Sequence, residues 1–294
     1  MNRSTLNVLG CYILWGLLPI FWKLLAGVNS AYVLAQRIVF SCVFCLAVIL
    51  IKRHGGEIGK IIKNKSERRM FFLCGILISV NWGVYILTVA MGRILEASLA
   101  YYMNPLFSVL IGAMFFRERL SAAQWVSIAL AFTGVMISVI GYGSVPYFAI
   151  IIGLSFALYG AIKKGVKAQS EVSTCVETMM VTPLALAFIV YAQVSGYTTY
   201  QSLSLTEILL LAMTGIVTSV PLLLFSKGIK NTSIVTSGIL MYINPTLQLL
   251  IGVLVYGEEF TKTSAITFAF VWAAVILFVI DSLKTHKRQE KPLP

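Results

Sequence analysis

The sequence predicts an all-α integral membrane protein with ten transmembrane helices arranged as two inverted five-helix repeats. Three observations predict it. Apolar stretches of crossing length follow one another with little between them. Basic residues collect on one side of the topology that those stretches impose. The chain also aligns with itself, without a gap, at an offset of 140 residues.

Of the 294 residues, 59% are apolar and 12% charged, whereas soluble domains run nearer half apolar and a quarter charged. Crossing a ~30 Å hydrocarbon core takes about 20 mostly apolar residues. The expected spans are Leu6–Trp22, Ala31–Ile51, Met70–Ala90, Ala97–Phe116, Ala122–Gly141, Pro146–Ile162, Val172–Val194, Glu207–Ser226, Ile234–Tyr256 and Ser264–Asp281. The first is as long as a crossing and lacks a small-residue cleavage site near its end, so it reads as a retained helix. It contributes Trp15 and the helix break Pro19.

The second span carries Arg37 and a C-x-x-C pair, Cys42 and Cys45. Together with Cys11, Cys74 and Cys175 these lie within spans and read as small apolar packing residues. A redox or zinc site would want solvent access or further ligands. The third span offers Asn81, Trp82 and Tyr85, a polar contact with aromatic faces suited to a ring or a cation. On the fourth, Ser98, Tyr101, Asn104 and Ser108 recur at helical spacing beside Tyr102, and Pro105 frees the Tyr101 carbonyl. The seventh carries Glu177. The eighth holds Ser219 and Pro221, which frees the Val217 carbonyl. The ninth holds Tyr242, Asn244 and Gln248, with Pro245 expected near mid-helix and freeing the Met241 carbonyl. In hydrocarbon a free carbonyl is tolerated only where protein, water or a ligand satisfies it, so these breaks are expected to wall a polar cavity. The alternative for each polar residue is a hydrogen bond between neighbouring helices.

The net charge of +12 is a matter of orientation. With the N-terminus inside, every Lys and Arg falls on the cytoplasmic side except Lys23, Arg93, Lys262 and the intramembrane Arg37. The positive-inside bias therefore places both termini in the cytoplasm of a multi-pass bacterial inner-membrane protein. No nucleic-acid partner is implied.

The self-alignment pairs Leu14 with Leu154, Lys23 with Lys163, Gly75 with Gly215, Ser79-Val80 with Ser219-Val220, and Glu118 with Glu258. Its strongest block sets YMNPLFSVLIG, from Tyr102, against YINPTLQLLIG, from Tyr242. The halves are 1–141 (spans one to five) and 142–294 (spans six to ten, with a basic tail). Five spans is an odd number, so the second repeat enters the membrane from the opposite side. Inverted repeats point to alternating access.

Charged residues inside the membrane cost several kcal/mol unless paired or wet. Arg37 and Glu177 are repeat partners, each roughly 10 Å from opposite membrane faces at about 1.5 Å per residue. The expectation is that Arg37 attracts an anionic group of a solute and that Glu177 binds its ammonium or a coupling proton. Snorkelling to the two interfaces is the other reading. Arg93 with Glu96, Arg117-Glu118-Arg119 and Glu258-Glu259 read as interfacial anchors.

Taken together, GCYILWGLLPIFWK, QRIVFS, NWGVYILTVAMGRILEASLAYYMNPLFSVLIG, FFRERL, SFALYGAIKK, ETMMVTPLAL, TSVPLLLFSKGIKNTSIVTSGILMYINPTLQLLIGVLVYGEEF and TFAFVW span essentially the whole chain. In them the sequence resembles the RarD-type permeases of the EamA group in the drug/metabolite transporter superfamily. The resemblance implies a ten-helix inner-membrane permease with a central pathway and relatives that export amino acids and metabolites. The sequence departs from the pattern at Gln36, where a histidine is implied, so no proton relay is assigned there.

No nucleotide-driven motor is encoded, since GGEIGKI at Gly55–Ile61 is one residue short of a phosphate-binding loop and lacks its hydroxyl. H-E-x-x-H and G-x-S-x-G are absent, which speaks against an intramembrane hydrolase. The expected function is therefore gradient-driven transport of small polar or amphipathic metabolites, drugs or amino acids, outward by resemblance. No catalytic residues, cofactor or metal are expected. A membrane sensor or scaffold without flux is the alternative. The expected partners are a small-molecule substrate and the lipid bilayer, with proton coupling as an option, in a monomer or homodimer.

Overall fold

The computed structural model describes residues 3–52, 55–116, 120–163, 168–229, 232 and 240–289. Among them there is no β-strand. The helices are α1 (Arg3–Leu24), α2 (Ser30–Lys52), α3 (Gly55–Lys63), α4 (Lys65–Ala90), α5 (Ile94–Phe116), α6 (Ala122–Tyr142), α7 (Tyr147–Lys163), α8 (Ser170–Val194), α9 (Leu205–Ile229), α10 (Ile243–Leu250) and α11 (Lys262–Gln289). A π-helical turn, Ile251–Val255, continues α10.

Eight of these helices are long and apolar enough to cross a membrane, and the segments Tyr147–Lys163 and Ile243–Val255 are apolar but shorter. Eight of the ten expected spans thus coincide with helices of crossing length, and the sixth and ninth coincide with helices shorter than a crossing. The ninth is short because the chain turns at Met241-Tyr242 before α10 begins; most of its expected first half lies outside the described residues. One helix was not anticipated. The loop after Lys52 contains α3, whose Ile61 is buried beside Ile49, Phe71 and Val172, with Ile58 packed against the same cluster. Its charged residues Glu57, Lys60 and Lys63 are confined to the rest of a nine-residue amphipathic turn.

Helix ends follow local chemistry. The Asn64 side chain accepts from the amides of Ser66 and Glu67, so α4 starts at Lys65, before the expected Met70. Ser121 and Gln124 close a capping box on α6, and α6 ends at Gly143, whose φ of 65° suits glycine.

Packing interleaves the two halves of the chain. Helix α1 packs on α9 and α10, α4 on α7, α2 on α8 and α9, α5 on α7 and α10, and α6 on α11. Two glycines 140 residues apart each bring a helix close to the backbone of a neighbour. A Cβ on Gly75 would stand 2.7 Å from the Glu177 carbonyl of α8, and one on Gly215 would stand 2.3 Å from the Phe40 carbonyl of α2. Lipid offers no hydrophobic drive between helices, so such backbone proximity is what lets dispersion hold them.

Candidate functional site

Arg37 lies on the inward face of α2 and is 4% exposed. Its guanidinium carbon stands 4.1 Å from the ring centre of Trp82 on α4 and 4.7 Å from that of Trp22 in the last turn of α1. Cation–π contacts of this kind contribute up to about 2 kcal/mol each when desolvated, comparable with the roughly 3 kcal/mol that an arginine at a helix centre costs on insertion scales. The rings offset the buried charge but leave its hydrogen-bonding groups unused: Nε and Nη1 are buried without a partner, as are Trp22 Nε1 and the Tyr85 hydroxyl. The Tyr85 ring meets Tyr101 of α5 edge-on at 5.6 Å. Helices α1, α2, α4 and α5 thus assemble one cationic, aromatic cluster from residues up to 79 positions apart. The third span was expected to hold a cation against its aromatic faces, and the cation at Trp82 is the protein's own.

Glu177 is placed elsewhere. Its carboxylate is 3.1 Å from Lys163 Nζ at the end of α7 and accepts from Ser173 Oγ at 2.8 Å and from the Tyr159 hydroxyl at 2.9 Å. Lys163 also donates to the Tyr159 hydroxyl. The carboxylate is therefore engaged by residues of α7 and α8. Sequence reasoning missed Lys163 and Tyr159, although a signal existed: across a short connection Glu177, two turns into α8, lies about 10 Å deeper than the end of α7, a gap that a long lysine side chain helps to span.

Several expected pathway residues instead join helices. Asn81 donates to the Ile152 carbonyl at 2.8 Å and to Ser155 Oγ at 3.2 Å, tying α4 to α7. Tyr102 stacks on Tyr242 and its hydroxyl lies 2.6 Å from Thr246 Oγ1, while Ser98 donates to the Pro245 carbonyl at 2.8 Å; both contacts tie α5 to α10. Ser219 lies 3.5 Å from Cys45 Sγ. Trp15 packs among Tyr12 and Phe225. Gln248 donates to Asn244 Oδ1 at 2.7 Å, leaving its own Oε1 and the Oδ1 of Asn104 as buried acceptors without partners.

The helix breaks divide. Pro19, Pro105 and Pro221 lie inside α1, α5 and α9. Pro245 does not act as expected. It sits in the first turn of α10, where its missing N–H costs nothing, and the Met241 carbonyl accepts from the Asn244 amide at 3.3 Å. Pro183, inside α8, was overlooked.

At the end of the bundle away from Lys163, the presumed anchors are structural links. Arg93 pairs with Glu96 at 2.7 Å, and Glu96 accepts from the amides of Phe148 and Ala149 at the start of α7. Glu258 accepts from the amides of Ile94 and Leu95 at 2.6 and 2.8 Å, capping α5. Burial pushes the Glu258 carboxyl above its ordinary value more than those amides and nearby Lys23 and Arg93 draw it down. Arg93, Glu96 and Glu258 line a cavity of about 430 Å³ with Ser138 and Thr267; none of the expected pathway residues reaches it.

Comparison with known proteins agrees with this architecture. The EamA-like transporter family matches twice, over residues 3–140 and 144–280. The uncharacterized transporter YojE of Bacillus subtilis is 42% identical over 95% of this chain and 94% of its own length. Protein RarD of Escherichia coli is 33% identical over 99% and 98%. The chloramphenicol-sensitive protein RarD of Pseudomonas aeruginosa is 25% identical over 99% and 98%. A solved crystal structure shares the fold with a TM-score of 0.60 at 18% identity, over 94% of this chain and 97% of that one. With two family matches along a bundle of apolar helices and relatives of this identity over nearly full length, the chain belongs to the EamA-like transporter family as a RarD-type permease, a multi-pass membrane transporter.

Proposed function

We propose that the protein is a gradient-driven exporter of small polar or amphipathic solutes, working by alternating access between two inverted five-helix halves, 1–141 and 142–294. The observation that carries this reading is Arg37: a buried, aromatic-flanked guanidinium whose Nε and Nη1 have no acceptor is a costly group to keep in a membrane unless something visits it. Arg37, Trp82, Tyr85, Tyr101, Asn104 and Gln248 are the proposed path. The other expected residues hold the helices that must move.

Supporting the inversion, the packing is symmetric under the 140-residue offset. The α1–α9 contact has its counterpart in α7–α4 and the α5–α7 contact in α10–α1, while α2–α8, α5–α10 and α6–α11 each join repeat partners. On this reading the two short apolar helices complete ten crossings, and the end bearing Lys52, Arg68 and Lys163 faces the cytoplasm of a bacterial inner membrane.

The test is uptake of labelled amino acids, small metabolites and chloramphenicol into proteoliposomes, with and without a pH gradient, comparing wild type with Arg37→Ala. Saturable flux that Arg37→Ala abolishes supports the proposal, and dependence on the gradient identifies proton coupling. Equal leak in both proteins and in empty vesicles refutes it for these solutes and favours a sensor or scaffold.

A further inference from the structure

Arg37 and Glu177 are the two charged side chains among the described residues that are fully buried. They are not equivalent. Glu177 is paired with Lys163 and accepts from two hydroxyls. Arg37 has no ion-pair partner, and the unsatisfied polar atoms of its cluster, Nε, Nη1, Trp22 Nε1 and the Tyr85 hydroxyl, are all able to donate. The interior therefore carries one uncompensated positive charge and a set of donors waiting for an acceptor.

From this we infer that the solute is an organic carboxylate without a companion ammonium, such as a 2-hydroxy acid, and not a zwitterionic amino acid or a cation. The inference rests on the transporter reading in taking Arg37 to lie on the solute path. A carboxylate supplies the missing acceptors and cancels the charge in one step. A zwitterion brings its own cation to a cluster that holds no carboxylate among the described residues, since Glu177 lies elsewhere and is paired with Lys163. The orphan oxygens of Asn104 and Gln248 are neutral acceptors, which satisfy a hydroxyl as readily as an ammonium while supplying no negative charge to hold the latter. Aromatic stacking is not the main recognition element: Trp22 is 0% exposed and Trp82 presents its face to the guanidinium.

Matched ligands separate the possibilities. Lactate and alanine, and phenyllactate and phenylalanine, differ by hydroxyl against ammonium; phenethylamine retains the ammonium alone. Binding to the full chain in detergent is read as a ligand-dependent rise in Tm, in wild type, Arg37→Gln and Arg37→Lys. The expected result is that at least one hydroxy acid raises Tm by several degrees and binds at least tenfold tighter than its amino acid. Phenethylamine gives no shift, Arg37→Gln abolishes the effect, and Arg37→Lys retains the preference more weakly. Equal or tighter binding of the amino acid, binding of the amine, or no shift with either hydroxy acid overturns the inference. Should Arg37→Gln fail to fold, the wild-type ranking and Arg37→Lys decide alone. Proteoliposome flux keeps the two proposals apart. Hydroxy-acid binding without flux refutes transport and leaves the ligand class standing. Arg37-dependent flux of amino acids does the reverse.

Discussion

Replacing Glu177 by alanine removes the acceptor shared by Lys163, Ser173 and Tyr159. Removing one partner of a buried ion pair costs about 3–5 kcal/mol, because the other charge is left buried. Here the cost is kept low. Lys163 occupies the last turn of α7 and its side chain is 28% exposed, so once released it can extend to the interface. What remains is the loss of two hydroxyl-to-carboxylate bonds, bringing the expected destabilisation to about 3 kcal/mol, the lower end of that range, at roughly 1.5 kcal/mol net each. Glu177→Gln, which keeps an oxygen for only one of the two hydroxyls, since Ser173 and Tyr159 donate to different carboxylate oxygens, should lose about half of that. Lys163→Met combined with Glu177→Ala should be less destabilised than the sum of the single changes, with a coupling of about 1 kcal/mol. The assay is reversible unfolding in mixed micelles titrated with a denaturing detergent, paired with flux corrected for the folded fraction. Glu177→Ala within ~0.5 kcal/mol of wild type but devoid of flux would refute the reasoning, because the carboxylate would then serve the solute or a proton and the pair with Lys163 would be incidental.

Other outcomes follow from the packing. Gly215→Ala drives a methyl against the Phe40 carbonyl and Gly75→Ala one against the Glu177 carbonyl, so each should cost about 1–3 kcal/mol and lower the monodisperse yield on size-exclusion chromatography, while Gly10→Ala, with its nearest neighbour at 4.0 Å, should not. Glu258→Ala strips two amides at the start of α5 of their acceptor and should cost about 1–2 kcal/mol; thermal unfolding in detergent measures it. Pro245→Ala should change stability by less than ~0.5 kcal/mol, since the residue sits in a first turn. Pro105→Ala, in the interior of α5, should restore a hydrogen bond to the Tyr101 carbonyl and alter flux without lowering Tm. Comparable effects of the two proline changes on flux would contradict the placement of Pro245.

Much of the fold was legible because a bilayer enforces it. Hydrocarbon penalises every unpaired amide, so a run of about 20 apolar residues has little choice but to be helical, and the spans from Ala31 to Ile51 and from Ala122 to Gly141 were located to within a few residues of α2 and α6. The amphipathic α3 escaped notice because a nine-residue helix rests on its contacts with Ile49 and Phe71 more than on its own periodicity. The start of α10 escaped because the Y-x-N-P opening matches that of α5, while the Met241-Tyr242 turn exists only in the second copy.

At the site, the sequence alone determined that Arg37 is an intramembrane cation standing 140 residues from Glu177, and that aromatic and amide side chains occur within neighbouring spans. Whether those charges meet depends on which faces of which helices turn toward each other, a matter of rotation about helix axes that hydropathy does not encode. Packing turned Glu177 toward Lys163 and Asn81 toward α7, and turned Trp22 and Trp82 toward Arg37. The physical reason is that a bilayer rewards any apolar helix for crossing, whereas its rotation is set by close contacts such as that of Gly215 with Phe40 and by the pairing of polar groups, which come from distant parts of the chain.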